Sequence, residues 1–289
     1  MSSQITTASM RIAFIGGGNM ASALIGGLIH NGALPDHILA IDPMPGSRDN
    51  LSQLFNVRVA PDCASATNFL SVADLVIFAI KPQQFKEAAA QYQLALKSNA
   101  ASKLADPLIL SIAAGIRLVD MARWLDSSKV VRAMPNTPAL VGRGVTGLCA
   151  GPGISKTDRG LVEIACQAVG KFTWVANESL INAVTAVSGS GPAYVFAFLE
   201  ALQSAGESQG LDAEQARLLA IETLMGSAML AEQSSDSPTL LREKVTSKGG
   251  TTFAALEVLR EKEWQKALEL AVDAASARGA EMGEEFGKN

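Results

Sequence analysis

The sequence predicts an α/β protein in which a doubly wound, mostly parallel sheet is followed by an all-α domain. Three observations support this prediction. Up to about Gly170, short apolar runs alternate with helical stretches, which is typical of βαβ units. A glycine-rich turn, Gly16–Met20, separates the first apolar run from the first helix. After Asn177 no strand-like run follows, and apolar residues recur with a helical period through to Phe286.

The expected strands are short and either apolar or β-branched, as buried parallel strands are. They are Arg11–Ile15, Ile38–Ile41, Val57–Ala60, Asp74–Ile80, Pro107–Ala113, Val130–Met134, Val145–Ala150 and Phe172–Val175. The last two flank a helix predicted over Thr157–Val169. In the first helix, Asn19 is placed to cap the start and Gly32 to end it.

The second region is predicted to be helical throughout. The expected helices cover residues 178–187, 192–209, 212–233, 237–246, 251–261 and 263–286. Because Ser188–Pro192 contains two glycines and a proline, we expect it to interrupt the first two helices. The change of pattern places a domain boundary near residue 176. The predicted organisation is a loose extension over residues 1–10, a sheet domain over 11–176 and a helical domain over 177–289.

Composition and charge exclude several classes of function. A net charge of −4 gives the chain no field that would attract nucleic acid or an anionic membrane surface. Its three widely spaced cysteines argue against a disulfide framework or a zinc site and favour a reducing, cytoplasmic location. No apolar run approaches the roughly 20 residues that span a bilayer. The apolar residues of helix 212–233 cover more than one face, which predicts a homo-oligomer joined through the helical domain.

The segment Gly16–Ala21 follows an apolar strand and opens a helix, as a Rossmann-type dinucleotide-binding turn does. Gly16 permits the tight turn, Gly18 lets the backbone approach a pyrophosphate, and Ala21 allows close packing of helix on strand. The phosphates would lie at the helix N-terminus, where free N–H groups favour negative charge. The same pattern fits an ordinary glycine turn, and its context favours the nucleotide interpretation.

The ends of further strands complete the predicted dinucleotide site. Asp42 ends the second strand, about 20 residues after the glycine turn, where an acidic side chain binds the ribose hydroxyls of NAD. Ser47 and Arg48 follow, and they could reach the 2′-phosphate of NADP, so the sequence is compatible with either NAD or NADP. Ala79–Pro82, which also fits a plain strand-ending turn, and Ala113–Gly115 fall at the carboxyl edge of the sheet, where ligands bind.

A second glycine loop, Val245–Thr252, follows one predicted helix and starts another. Its backbone N–H groups could cradle a carboxylate, and hydroxyls such as those of Ser247 and Thr252 could bond a ring nitrogen. The alternative is a plain N-cap between two helices. The two histidines, His30 and His37, lie far from this loop in sequence, and no Ser/His/Asp order is present. Hydride transfer to a C=N bond fits, because an imine protonates more easily than a ketone.

Six motifs resemble, in order, those of the pyrroline-5-carboxylate reductase family. They are Gly16–Ala21, Ala79–Pro82, Ser111–Gly115, Arg132–Pro138, Ala183–Tyr194 and Val245–Thr252. The resemblance, which runs from Arg11 to about Glu285, implies reduction of L-1-pyrroline-5-carboxylate to L-proline by NADPH, with NADH as the alternative donor. It also implies a homodimer joined through an all-α dimerisation domain, and a decameric ring of five dimers as found in family members.

Residue by residue, the resemblance assigns two sites. The cofactor-binding residues are Ile15, Gly16, Gly17, Gly18, Asn19, Met20, Asp42, Pro43, Ala79, Ile80, Lys81, Pro82, Ala113, Ala114, Gly115 and, near the nicotinamide end, Lys244. The substrate-binding residues are Glu178, Ser247, Gly249, Gly250, Thr251 and Thr252. Ser247 and Thr252 are the assigned catalytic residues, with Thr252 donating to the imine nitrogen.

Three residues depart from the family pattern. Asp42 stands where NADPH-preferring relatives commonly carry a small polar residue, which calls the NADPH preference into question. Lys248 replaces a common proline, and Lys244 replaces an asparagine or another residue. Each lysine either adds positive charge beside a ligand or points into solvent.

Three further functions stay open from the sequence. A β-hydroxyacid dehydrogenase would share both domains but needs a proton donor, such as a lysine, early in the helical domain. The first basic residue after Tyr194 is Arg217. A different imine reductase is the second of these functions, and a non-catalytic nucleotide-binding regulatory module is the third.

Overall fold

The computed structural model describes residues 6–98 and 107–288, and it divides the chain into two compact units. The first unit contains the residues up to Gly189 together with those from Ala275 onward. The second unit, here called the helical unit, covers residues Ser190–Ala274. The predicted α/β class, with its sheet followed by helices, is confirmed.

The first unit is built on an eight-stranded sheet. Its strands are β1 (Ile12–Ile15), β2 (Ile38–Ile41), β3 (Arg58–Ala60), β4 (Leu75–Phe78), β5 (Leu108–Ser111), β6 (Val130–Met134), β7 (Gly144–Ala150) and β8 (Gly170–Trp174). They lie in the order β3-β2-β1-β4-β5-β6-β7-β8, and all neighbours are parallel except the antiparallel pair β6 and β7. The strand order reverses between β1 and β4, where doubly wound folds bind their ligands.

Helices cover both faces of this sheet. They are α1 (Asn19–His30), α2 (Pro45–Phe55), α3 (Thr67–Leu70), α4 (Phe85–Ser98), α5 (Leu118–Leu125), α6 (Lys156–Gln167) and α7 (Leu180–Val184). One hydrophobic cluster joins Ile12 and Phe14 to α1 and α6, and a second joins Ala13 and Ile15 to α4 and α5. Successive residues of a strand point to opposite faces of the sheet, and here both faces are covered by helices. All four residues of β1 are therefore buried.

The start of α1 corrects one prediction. Gly18 is the N-cap residue, Asn19 is already the first helical residue, and the Ser22 N–H donates to the Gly18 carbonyl at 2.9 Å. Asn19 therefore does not cap the helix, because the chain enters α1 directly from the glycine turn. Gly32, with a φ of 91°, follows the end of α1 as predicted.

The helical unit contains α8 (Gly191–Ser208), α9 (Ala213–Gln233), α10 (Pro238–Lys244), α11 (Thr251–Glu261) and the first part of α12 (Trp264–Gly287). The break expected at Ser188–Pro192 is confined to Ser190. Thr185–Gly189 forms a π-helical turn after α7, and α8 begins at Gly191 with Pro192 in its first turn. A proline fits there because first-turn N–H groups have no partner within the helix.

The contacts in the structure place the boundary between the two units later in the chain than the sequence pattern predicted. Helix α7 contacts β6 and β7, and the end of α12 belongs to the first unit, where Phe286 packs on the cluster of Ala13 and Ile15. The division therefore falls after Gly189, whereas the loss of strand pattern placed it near residue 176. Residues 1–10 were expected to form a loose extension, but Met10, at its end, is fully buried. Residues 1–5 lie outside the described residues.

All three cysteines are buried free thiols. Burial raises the pKa of Cys63 to about 11 and the pKa of Cys166 to about 12. Over residues 6–98 and 107–288, no group of His, Cys, Asp and Glu side chains is arranged to hold a metal ion. Among the helices of these ranges, none has both the length and the apolar character of a membrane span.

Candidate active site

The glycine turn lies at the carboxyl end of β1. Gly16 has a φ of 103°, and its N–H donates to the Ile41 carbonyl at 2.8 Å. A Cβ at Gly16 would lie 2.4 Å from the Ala79 carbonyl oxygen, so only glycine fits. Apart from Gly18 and its two chain neighbours, no atom of the described residues lies within 4 Å of a Cβ built at Gly18, and none of their side chains caps α1. The open backbone and uncapped N–H groups suit a pyrophosphate.

Asp42 follows β2 and joins two backbone segments. Its Oδ2 accepts from the Gly17 N–H at 2.7 Å, and its Oδ1 accepts from the Met44 N–H at 2.8 Å. Arg48 Nη1 donates to the carbonyl oxygens of Asp42 at 2.7 Å and Pro43 at 2.9 Å. A carboxylate accepts from ribose hydroxyls, whereas a guanidinium binds phosphate. The two groups that can distinguish NAD from NADP therefore lie close together, Asp42 directly after β2 and Arg48 in the first turn of α2.

Two more predicted segments lie at the same edge of the sheet. The Ala79 N–H donates to the Ile15 carbonyl at 2.8 Å, which places the end of β4 beside the glycine turn. The Ile112 N–H donates to the Phe78 carbonyl at 3.1 Å, so the end of β5 comes next. Lys81 is exposed at this edge. The structure thus brings together Ile15–Met20, Asp42–Pro43, Ala79–Pro82 and Ala113–Gly115.

Glu178, expected in the substrate site, lies just before α7 and is bonded within the first unit. Its Oε1 accepts from Arg132 Nη1 in β6 at 2.8 Å and from the Leu118 N–H at the start of α5 at 2.7 Å. The side chains of Arg132 and Glu178 are 6% and 28% exposed, so removing either partner would leave the other charge poorly solvated and unpaired. Glu178 therefore fixes the chain directly after Ala113–Gly115.

Arg132 opens the motif Arg132–Pro138, but the family resemblance assigns it to neither the cofactor site nor the substrate site. The available signal was a cationic residue inside an otherwise apolar strand, Val130–Met134. A buried charge requires a partner, but the pattern of the strand does not say which carboxylate provides it.

The second glycine loop belongs to the helical unit and connects α10 to α11. The Gly250 N–H donates to the Ser247 carbonyl at 3.0 Å, and Gly249 has a φ of 74°. Gly250 is the N-cap residue of α11, with no side-chain cap from the described residues. Thr251 and Thr252 are exposed in the first turn of the helix. The uncapped N–H groups and hydroxyls here can bind a small carboxylate.

The predicted residues therefore fall into two groups. The dinucleotide residues from Ile15 to Gly115 and the side chain of Glu178 belong to the first unit, whereas Lys244 and the Ser247–Thr252 loop belong to the helical unit. Lys244 forms an ion pair with Asp236 beside α10, and Lys248 is exposed. Lys244 is thus paired within its own unit.

Two family models match the chain, one over the first part of the first unit and one over the helical unit and its flanking residues. Residues 178–282 match the family described as pyrroline-5-carboxylate reductase dimerisation. Residues 11–115 match the family described as NADP oxidoreductase, coenzyme F420-dependent. Over 279 residues the chain is 41% identical to a pyrroline-5-carboxylate reductase of Pseudomonas aeruginosa, covering 96% of this chain and 98% of that relative.

Solved structures give the same result. A pyrroline-5-carboxylate reductase from Coxiella burnetii aligns with a TM-score of 0.87 at 37% identity, covering 94% of this chain and 98% of that one. Plasmodium falciparum pyrroline carboxylate reductase with NADP bound aligns with a TM-score of 0.80 at 26% identity, covering 96% and 99% of the two chains. Sequence and fold therefore point to one family.

Proposed function

The chain belongs to the pyrroline-5-carboxylate reductase family, and we infer that it reduces the C=N bond of L-1-pyrroline-5-carboxylate to give L-proline. When bound, the nicotinamide dinucleotide supplies the hydride. The observation that carries this proposal is the 41% identity to a reductase over 96% of the chain. The Gly16–Gly18 turn, open to a pyrophosphate, supports it independently.

We propose that the first unit binds the dinucleotide along the carboxyl edge of its sheet. Gly16–Gly18 and the start of α1 would hold the pyrophosphate, and the ends of β4 and β5 would line the rest of the dinucleotide. Lys244 of the helical unit is proposed as a further cofactor-binding residue. Arg48 attracts a 2′-phosphate, whereas the charge of Asp42 repels one. We expect NADPH to be the donor and NADH to be accepted as well.

The second loop is proposed to bind the substrate. Uncapped N–H groups at the start of α11 would hold the carboxylate, and the hydroxyls of Ser247 and Thr252 would orient the ring nitrogen. The imine enters protonated, so the chain need not supply a histidine acid. In agreement, His37 Nδ1 donates to the Ala8 carbonyl at 3.0 Å, and both histidines belong to the first unit. Glu178, which bonds Arg132 within the first unit, is proposed as a further substrate-binding residue.

The helical unit is proposed to join two copies of the chain. Helices α8 and α9 expose large apolar side chains, including Phe196 at 66%, Leu218 at 60% and Leu230 at 66%. Apolar surface of this extent indicates an interface, and the matched family is described as a dimerisation family. A homodimer follows, and further assembly into a decamer and a cytoplasmic location remain predictions.

The decisive experiment is a steady-state assay with purified protein, in which L-1-pyrroline-5-carboxylate and NADPH are supplied and dinucleotide oxidation is followed. We expect proline to form in equal amount to the dinucleotide consumed. Oxidation with a β-ketoacid but not with the cyclic imine would indicate a β-hydroxyacid dehydrogenase. Binding of NADPH without turnover on any of these substrates would indicate a regulatory module.

A further inference from the structure

The last turns of α12 pack on the loop between β5 and α5, which contains the predicted dinucleotide residues Ala113–Gly115. A Cβ at Gly115 would lie 3.0 Å from Cδ2 of Phe286 and 3.3 Å from Cβ of Met282. Gly115 itself is buried and has a φ of 75°. The phenyl ring of Phe286 therefore lies directly against the backbone of the loop.

Charged groups hold the same end of α12. Asp120 in α5 has a side chain only 4% exposed, and it accepts from Arg117 Nε at 2.7 Å and Arg123 Nη2 at 3.0 Å. Arg123 Nη2 also donates to the Gly287 carbonyl at 3.3 Å. A guanidinium thus bonds a terminal carbonyl of α12, which is a favourable arrangement at a helix C-terminus.

The two sides of the loop are held differently. Glu178 bonds the N–H of Leu118, which follows the dinucleotide residues. Phe286 instead touches Gly115, one of those residues. Loss of the ring would remove the nearest side-chain atoms that pack on Gly115, and glycine readily adopts other backbone conformations.

We propose that Phe286 is a positioning residue, which holds Gly115 and the β5–α5 loop in the conformation that binds the dinucleotide. The inference rests on the proposed dinucleotide site at Ala113–Gly115. When a binding-competent conformation is only partly populated, the apparent dissociation constant rises in inverse proportion to that population. Phe286 therefore affects dinucleotide affinity through the loop, while the chemical step is unaffected.

The test compares Phe286→Ala with Phe55→Ala in the full-length protein. Phe55 is a half-buried phenyl that packs against Gly26 of α1, in the hydrophobic cluster on the other face of the sheet. NADPH is titrated without substrate, with protein fluorescence as the signal, and melting temperatures are recorded. We expect Phe286→Ala to raise the NADPH dissociation constant about 3- to 30-fold, the range for residues that act on a site indirectly.

Controls separate positioning from a general loss of stability. Phe55→Ala is expected to retain the wild-type dissociation constant despite a lower melting temperature, and Phe286→Leu to recover most of the affinity. At saturating NADPH, kcat of Phe286→Ala should stay near that of the wild type. The KM for L-1-pyrroline-5-carboxylate should also be retained.

Two results would overturn the proposal: an unchanged dissociation constant in Phe286→Ala, or an equal loss of affinity in Phe55→Ala. If Phe286→Ala does not fold, Phe286→Val, which also removes the ring but leaves a branched apolar side chain, is titrated instead, and wild-type affinity in that variant overturns the proposal equally. Because the titration uses no substrate, a wild-type protein that binds NADPH without reducing the imine contradicts only the proposed function. A wild-type protein that binds no dinucleotide overturns both.

Discussion

The two glycine loops lie in different surroundings. At the first, a Cβ on Gly16 would lie 2.4 Å from a backbone oxygen, and the neighbouring Gly17 N–H is bonded to Asp42. At the second, no atom of the described residues beyond the two chain neighbours of Gly249 lies within 4 Å of a Cβ built there, and Thr251 and Thr252 are exposed. Both glycines have a positive φ, 103° at Gly16 and 74° at Gly249. Packing fixes the first loop, whereas the second depends on its own backbone.

This difference suggests how binding is divided. A loop that is already fixed loses little conformational entropy when it binds a ligand, which suits a dinucleotide that every turnover requires. An exposed loop leaves its ligand in water, and hydride transfer benefits from the exclusion of water. If the second loop is the substrate site, as proposed, we expect substrate binding or a second copy of the chain to complete its surroundings.

The largest effect is expected at the exposed loop. Thr252→Ala should lower kcat about 10- to 1000-fold, the range for removing one positioned donor to a reacting group. The dissociation constant of NADPH, measured by titration, should stay close to the wild-type value because the first loop is untouched. Thr252→Ser retains the hydroxyl and should recover much of the turnover. Wild-type turnover in Thr252→Ala would remove this residue from the mechanism.

Matched glycine substitutions compare the two loops directly. Gly16→Ala combines a positive φ with a backbone clash, so we expect it to lower the free energy of unfolding by about 3 kcal/mol and to weaken NADPH binding. Gly249→Ala meets only the backbone strain and should cost about 1 kcal/mol, with NADPH affinity retained. Denaturant unfolding and NADPH titration measure both quantities. Equal losses of stability in the two variants would show that packing does not distinguish the loops.

Assembly tests the dependence of the second loop on a partner copy. Met229 is exposed on α9 and Leu224 is half-buried there, so the paired changes Leu224→Glu and Met229→Lys should disrupt an interface formed by this helix. We expect light scattering to show a lower mass and the assay to show activity falling with it. The wild-type melting temperature should rise with protein concentration. A wild-type chain that is monomeric and fully active would contradict this account.

The smallest effect is expected at Asp42. Asp42→Ser removes a negative charge that repels a 2′-phosphate, so the ratio of kcat/KM for NADPH to that for NADH should rise several-fold, by about 1 kcal/mol. The KM for both dinucleotides should also rise, because the bond from the Gly17 N–H to Asp42 is weakened. Asp42→Asn, which keeps a similar shape and one acceptor, is the control for this loss. If the ratio is unchanged, the carboxylate of Asp42 does not contribute to the choice between NADPH and NADH.

Much of the site could be predicted because its signals are local. The glycine turn, the strand before it and the helix after it are specified by adjacent residues, and the start of α11 was predicted at Thr251 from the glycines before it. The predictions of helix ends were wrong where two adjacent residues or turns could each end or start the helix. Gly18, not Asn19, is the N-cap residue of α1, and the break expected over Ser188–Pro192 is confined to Ser190, because a π-helical turn continues to Gly189 and α8 starts at Gly191.

The sequence by itself determined the order of strands and helices, the two glycine loops and the family, since periodicity, glycine's steric freedom and motif order are properties of short segments. Only the tertiary structure decided that Asp42 bonds Gly17, that Glu178 pairs with Arg132 across 46 residues of chain, and that Phe286 covers Gly115. These partners meet because the sheet order and the return of α12 bring distant segments together. No short-range pattern specifies which polar or apolar group will lie opposite, because that choice depends on how all the layers pack.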